Sequence, residues 1–108
     1  MNYTQDSTDQ YMRDILVEEL TPDEADNALT ALSTLTSLYP GVFPSNRTFV
    51  RPHLDPTSSG PSGVRFVVYG DEGTLRSIYL PGTDLRNVAH AVEAVSLWAS
   101  VWILDSAA

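Results

Sequence analysis

Two segments near the start of the chain carry apolar residues at helical spacing. The first predicts a helix over residues 9–19, because its apolar stripe consists of Tyr11, Met12, Ile15, Leu16 and Leu20. The second opens with Thr21-Pro22-Asp23-Glu24, a capping box with proline at the first helical position. It predicts a helix that ends before Pro40-Gly41. We expect residues 1–8 to form a flexible tail.

Strand-like segments occupy the middle of the chain. A short strand is predicted over residues 47–51, followed by a long loop, rich in proline, serine and glycine, over residues 52–63. Residues 64–69 and 74–80 then predict a hairpin around Gly70-Asp71-Glu72-Gly73, with Gly73 in the left-handed region.

The register of this hairpin sorts its side chains onto two faces. One face is predicted to join the core and pairs Val64 with Leu80, Phe66 with Ile78, and Val68 with Arg76. The other face is mixed and pairs Arg65 with Tyr79, Val67 with Ser77, and Tyr69 with Leu75. We expect Arg65, Tyr69 and Tyr79 either to be solvated or to form part of an interface.

The last helix is predicted to be capped by Thr83 or Asp84, to run to Leu104, and to carry two apolar stripes. The stripe predicted to face the core consists of Leu85, Val88, Ala89, Val92, Val95, Ala99, Trp102 and Ile103. The second stripe consists of Ala94, Leu97, Val101 and Leu104, and Trp98 lies between the two stripes. The apolar surface predicted from it consists of Leu97, Trp98, Val101 and Leu104. Because one flat packing surface does not cover both stripes, the second predicts an interface with another chain. The alternatives are that this helix is central in the fold, or that the first helix covers the stripe through Met12, Leu16 and Leu20.

In chain order, the elements are α-α-β-β-β-α. This order predicts an α+β fold in which a three-stranded antiparallel sheet packs against helices. The length of 108 residues predicts a single small domain over residues 1–108. A hydrophobic fraction of 43% is sufficient for one core and argues against a disordered chain.

The charge of the chain is strongly negative and unevenly placed. It has 14 acidic residues against 6 basic ones, a net charge of −8, and a field of this sign repels nucleic acid and anionic lipid. Asp23 and Glu24 are explained by their position at a helix start. We use the name acidic front for Asp6, Asp9, Asp14, Glu18 and Glu19. These residues predict either a solvated surface or a binding surface for a partner with basic residues.

Candidate catalytic and metal-binding residues are few. The chain has no cysteine, which removes thiolate nucleophiles and cysteine-based metal sites. His53 and Asp55 lie in the predicted loop without a third ligand, and His90 lies on the polar side of the last helix. We therefore assign no catalytic, cofactor-binding or metal-binding residues.

Several functional hypotheses follow from these features. The leading one is a non-enzymatic protein-binding module, such as a phage or mobile-element accessory or inhibitor protein, that acts through the acidic front. The alternatives are a structural subunit of a homo-oligomeric assembly such as a virion, and a small enzyme or ligand-binding domain with a sheet–helix pocket. The sequence shows no signal peptide or transmembrane segment, which predicts a cytoplasmic or virion-associated protein. All 6 basic residues are arginine, which favours a GC-rich or salt-adapted source.

Overall fold

Three antiparallel strands and a layer of helices make up the fold. The structure is a computed structural model and describes residues 5–54 and 61–107. Its elements are α1 (Gln5–Leu16), α2 (Pro22–Leu38), β1 (Thr48–Leu54), β2 (Pro61–Gly70), β3 (Gly73–Pro81), a 3₁₀ helix (Gly82–Arg86) and α3 (Val88–Ala107). The strands form one sheet in the order β1-β2-β3, with both neighbouring pairs antiparallel. The predicted α+β fold and its element order are confirmed.

Several boundaries differ from those that the sequence predicts. Helix α1 begins at Gln5, so residues 5–8 are helical where we expected a tail. It ends at Leu16, so Glu18 and Glu19 of the acidic front lie in the turn that leads to α2. Strand pairing extends into both ends of the predicted 52–63 loop, and residues 55–60 of that loop lie outside the described residues.

Helix α2 begins as its sequence predicts. The Thr21 hydroxyl accepts a hydrogen bond from the Glu24 N–H at 3.2 Å, and the Glu24 carboxylate accepts one from the Thr21 N–H at 3.1 Å. This reciprocal pair satisfies two N–H groups that the helix itself leaves without partners. The predicted capping box is therefore confirmed.

Helix α3 begins later than the sequence predicts. Residues 82–86 form a 3₁₀ helix, and the Asn87 side chain then accepts a hydrogen bond from the Ala89 N–H at 2.8 Å. Asn87 is thus the N-cap, and the prediction of Thr83 or Asp84 was wrong. The break changes the rotational phase of the helix, because a 3₁₀ turn has about three residues. Val88 and Ala89, predicted to face the core, are consequently exposed.

The hydrophobic core lies on one face of the sheet, under the helices. Helix α1 packs on β1, α3 packs on β3, and α2 contacts both other helices, so α1 and α3 lie over opposite edges of the sheet. The buried core side chains include Met12, Leu16, Ala28, Leu32, Leu35, Val50, Val64, Phe66, Ile78, Leu80, Leu85 and Val95. The predicted pairings of Val64 with Leu80 and of Phe66 with Ile78 are confirmed.

One detail of the hairpin register differs. Tyr69 lies opposite Thr74 rather than Leu75, because the register shifts between Val68 and Tyr69. Gly73 closes the turn with a φ of 121°, a backbone conformation that favours glycine. The shift is a local bulge at the end of the hairpin, and the pairs further from the turn keep the predicted register.

Candidate functional site

The second apolar stripe of α3 is exposed at each of its three described side chains. The exposed fractions are 68% for Leu97, 46% for Trp98 and 43% for Val101. The opposite side of the helix enters the core through Ala91, Val95 and Ala99, all fully buried. The Leu104 side chain, also predicted to join the stripe, lies outside the described residues. We use the name α3 stripe for Leu97, Trp98 and Val101.

Helix α1 does not cover the α3 stripe. Its apolar residues Met12 and Leu16, together with Leu20 in the following turn, are buried in the main core. Helix α1 packs on β1 and α2, and the α3 stripe remains exposed. The alternative in which these three residues cover the stripe within one chain therefore does not occur in this structure.

Acidic residues lie beside the α3 stripe. A shallow depression of about 360 Å³ adjoins Leu97 and is also lined by Asp84, His90, Glu93 and Ala94. The α3 sequence from Ala94 to Leu104 contains no charged residue, so the stripe itself is neutral. The surface thus combines exposed apolar side chains with two carboxylates at one margin.

The acidic front forms a separate surface on the opposite side of the helical layer. Asp14, Glu18 and Glu19 are exposed, Asp9 is half-buried, and the Asp6 side chain lies outside the described residues. Asp14 accepts a hydrogen bond from the Gln10 side chain at 2.7 Å. Because α1 lies over β1 and α3 over β3, the acidic front and the α3 stripe do not form one binding site.

Arg13 lies on α1 between Asp9 and Asp14 of the acidic front, and an acidic residue of α2 pairs with it. Its guanidinium donates to the Asp26 carboxylate at 2.8 Å. This hydrogen bond and the charge of Asp26 raise the pKa of Arg13 above its usual value. Arg13 therefore bridges α1 and α2, and the carboxylates of Glu18 and Glu19 have no ion-pair partner among the described residues.

Asp9 faces a polar cleft between α1, α2 and the start of β1. The cleft has a volume of about 350 Å³, and Ser33, Thr36, Ser45 and Thr48 contribute hydroxyls to its lining. The Thr36 and Thr48 hydroxyls donate to backbone carbonyls at 3.2 Å and 2.7 Å. Among the described residues that line the cleft, Asp9 alone is titratable.

The sheet face that points away from the helices carries aromatic and cationic side chains. We use the name outer sheet face for Phe49, Arg51, His53, Arg65, Val67, Tyr69, Ser77 and Tyr79, which the strand register places together. Arg51 is exposed, Val67 is fully buried by its neighbours, and the other members are half-buried. The Phe49 and Tyr69 rings are 5.9 Å apart between centroids. The His53 and Tyr79 rings are 4.8 Å apart in an edge-on arrangement. This face therefore unites the predicted mixed residues Arg65, Tyr69 and Tyr79.

A glycine of the central strand lies between the strands that carry His53 and Tyr79. These residues lie on the two outer strands, and Gly63 of β2 lies opposite His53. A side chain at this position would collide with the Leu80 carbonyl oxygen of β3. Sequence reasoning missed this contact and the cross-strand position of Arg51, since both depend on the pairing of β1 with β2. The alternation of Phe49, Arg51 and His53 along β1 was the available signal.

The described residues give no indication of a metal site. They contain no group of three or more histidine, aspartate or glutamate side chains close enough to hold an ion. Asp55, the predicted neighbour of His53, lies outside them.

Within the described residues, none of the helices combines the length and the apolar character needed to cross a bilayer. Comparisons with protein-family models, curated proteins and solved structures find no match to this chain.

Proposed function

We propose that this chain is a non-enzymatic protein-binding module that docks a partner protein through the α3 stripe. The observation that carries the proposal is the exposure of Leu97, Trp98 and Val101 side by side on a helix whose opposite side is fully buried. Adjacent large apolar side chains left in water are typical of interaction sites, and tryptophan is enriched among the residues that dominate binding energy.

The magnitude of this apolar surface indicates what the partner must supply. Full burial of a large apolar side chain contributes about 1.5–3 kcal/mol, so covering the exposed parts of these three contributes about 2–5 kcal/mol. Association itself costs roughly 4–15 kcal/mol in lost freedom of motion. The stripe is thus an anchor that needs further contacts around it to give a stable complex.

The chemistry beside the stripe favours a partner with basic residues. Asp84 and Glu93 lie next to Leu97, and the whole chain has a net charge of −8. A partner helix with an apolar face and flanking arginine or lysine would cover the stripe and meet these carboxylates. The small, acidic, lysine-free composition supports the more specific hypothesis of a phage or mobile-element accessory or inhibitor protein.

A pair of matched leucines tests this proposal. Leu97 on α3 and Leu38 at the end of α2 have similar exposed fractions, 68% and 61%. Wild type, Leu97→Asp and Leu38→Asp are immobilised and exposed to extract from the source cells. We expect a protein that wild type and Leu38→Asp retain equally and Leu97→Asp loses. With that protein purified, Leu97→Asp should raise Kd at least about tenfold, which corresponds to roughly 1.4 kcal/mol.

Two results would contradict the proposal. One is that every retained protein binds Leu97→Asp as well as it binds wild type. The other is that Leu97→Asp unfolds by circular dichroism while Leu38→Asp does not, which would show that Leu97 is packed inside the protein in solution.

A further inference from the structure

Two arginines lie directly opposite each other on the outer sheet face. Arg51 of β1 is the register partner of Arg65 of β2. Like charges directly opposite in a sheet are destabilising, and neither arginine forms an ion pair with a described residue. The chain has 14 acidic residues, yet the described parts of the three strands contain none.

The position of Arg65 is held by its neighbours on the same face. Its Nη1 donates to the Ser77 hydroxyl at 2.9 Å, and its guanidinium carbon lies 6.0 Å from the centre of the Tyr79 ring. The remaining N–H groups of a guanidinium are available to carboxylates, which arginine binds through two parallel hydrogen bonds. Arginine and tyrosine are also the residues most enriched at the centres of protein interfaces.

The acidic front lies on the other side of the molecule. The helices pack on the core face of the sheet, and Asp14, Glu18 and Glu19 are exposed on α1 and the turn that follows it. The two-layer fold therefore has a negative surface on its helical side and a positive, aromatic surface on its sheet side. One chain thus carries both halves of a complementary pair.

We infer that the outer sheet face binds the acidic front of a second copy of this chain, head to tail. In this contact, carboxylates of one copy lie over Arg51 and Arg65 of the next. Because the two surfaces differ, each copy in a pair has used one surface and still exposes the other. Further copies can therefore add, and association continues into rings or open chains. This inference is independent of partner docking through the α3 stripe, because it uses different surfaces.

The net charge of the chain favours a second copy over a nucleic acid as the partner of the outer sheet face. A nucleic acid would extend over much of a protein whose charge is −8 and would be repelled. Between two copies, screening beyond about 8 Å at physiological ionic strength leaves mainly the charges that meet at the contact. Those charges are arginines on one side and carboxylates on the other.

Complementing variants test the inference with this protein alone. Arg51→Glu/Arg65→Glu reverses the charge of the outer sheet face and leaves the acidic front intact. Glu18→Arg/Glu19→Arg reverses charges of the acidic front and leaves the outer sheet face intact. By light scattering, wild type should gain mass with concentration and lose this gain near 1 M salt, where screening reaches about 3 Å. Each variant alone should stay a monomer. Their equimolar mixture should give a heterodimer of twice the monomer mass, since only one productive contact remains.

Controls separate this contact from other causes. Arg86→Glu makes a similar charge change at an exposed position of the 3₁₀ helix and should assemble like wild type. Arg51→Gln/Arg65→Gln removes the charges without adding acids and should also be monomeric, with a circular dichroism spectrum like that of wild type. A wild type that stays monomeric at millimolar concentration would overturn the inference. So would a mixture that stays monomeric, or assembly that Leu97→Asp abolishes and the arginine variants do not.

Discussion

The same substitution at two valines of α3 should have very different effects. Val95 is fully buried, whereas Val101, six residues further along the helix, is 43% exposed. Val95→Asp removes a buried apolar side chain, which contributes about 1.5–3 kcal/mol, and places a carboxylate among Leu85, Ala91 and other core residues. A buried charge without a partner adds several kcal/mol to this loss.

The free energy lost in Val95→Asp is comparable to the whole stability of a small domain, whereas that lost in Val101→Asp is a fraction of it. A total unfolding free energy of about 5–15 kcal/mol is typical, so Val95→Asp should unfold most of the protein. At Val101 the carboxylate reaches water, and the loss is limited to the buried part of the valine, about 1–2 kcal/mol. For a domain of this size, that corresponds to a decrease in Tm of roughly 5–15 °C.

Thermal unfolding followed by circular dichroism measures both variants, with size-exclusion chromatography to record their mass. We expect a cooperative transition for Val101→Asp and little or no transition for Val95→Asp. If Val101→Asp unfolds as completely as Val95→Asp, then Val101 is buried in solution and the α3 stripe is not open. If both variants fold normally, α3 does not pack through the side that contains Val95.

Two further predictions concern backbone features that the structure revealed. Asn87→Ala removes the N-cap of α3 and should lower the unfolding free energy, measured in urea, by about 1 kcal/mol. Asn87→Ser, which keeps a capping hydroxyl, should retain most of the stability. Equal stability of the alanine variant and wild type would contradict this capping role. Gly63→Ala places a methyl group against the Leu80 carbonyl of the neighbouring strand and should destabilise by about 1–3 kcal/mol, so a Tm equal to that of wild type would show that β2 and β3 are further apart.

Short-range features of this protein follow from its sequence alone. The capping box at Thr21 involves residues three positions apart, and the hairpin around Gly73 involves strands joined by a tight turn. In both cases neighbouring residues satisfy one another's backbone groups, so the local pattern determines the element. The α+β fold class follows from the order of these elements. The apolar character of Leu97, Trp98 and Val101 likewise predicted a second stripe on α3.

Tertiary structure decided the features that connect distant segments. Asn87 starts α3 because the chain forms a 3₁₀ helix after β3, where Leu85 enters the core, and local preferences alone allowed Thr83 or Asp84 as the cap. The packing of α1 over β1 left the α3 stripe exposed. Pairing of β1 with β2 brought Arg51 beside Arg65. Each of these outcomes depends on which surfaces meet during packing, and that choice is made by the burial of the whole core rather than by neighbouring residues.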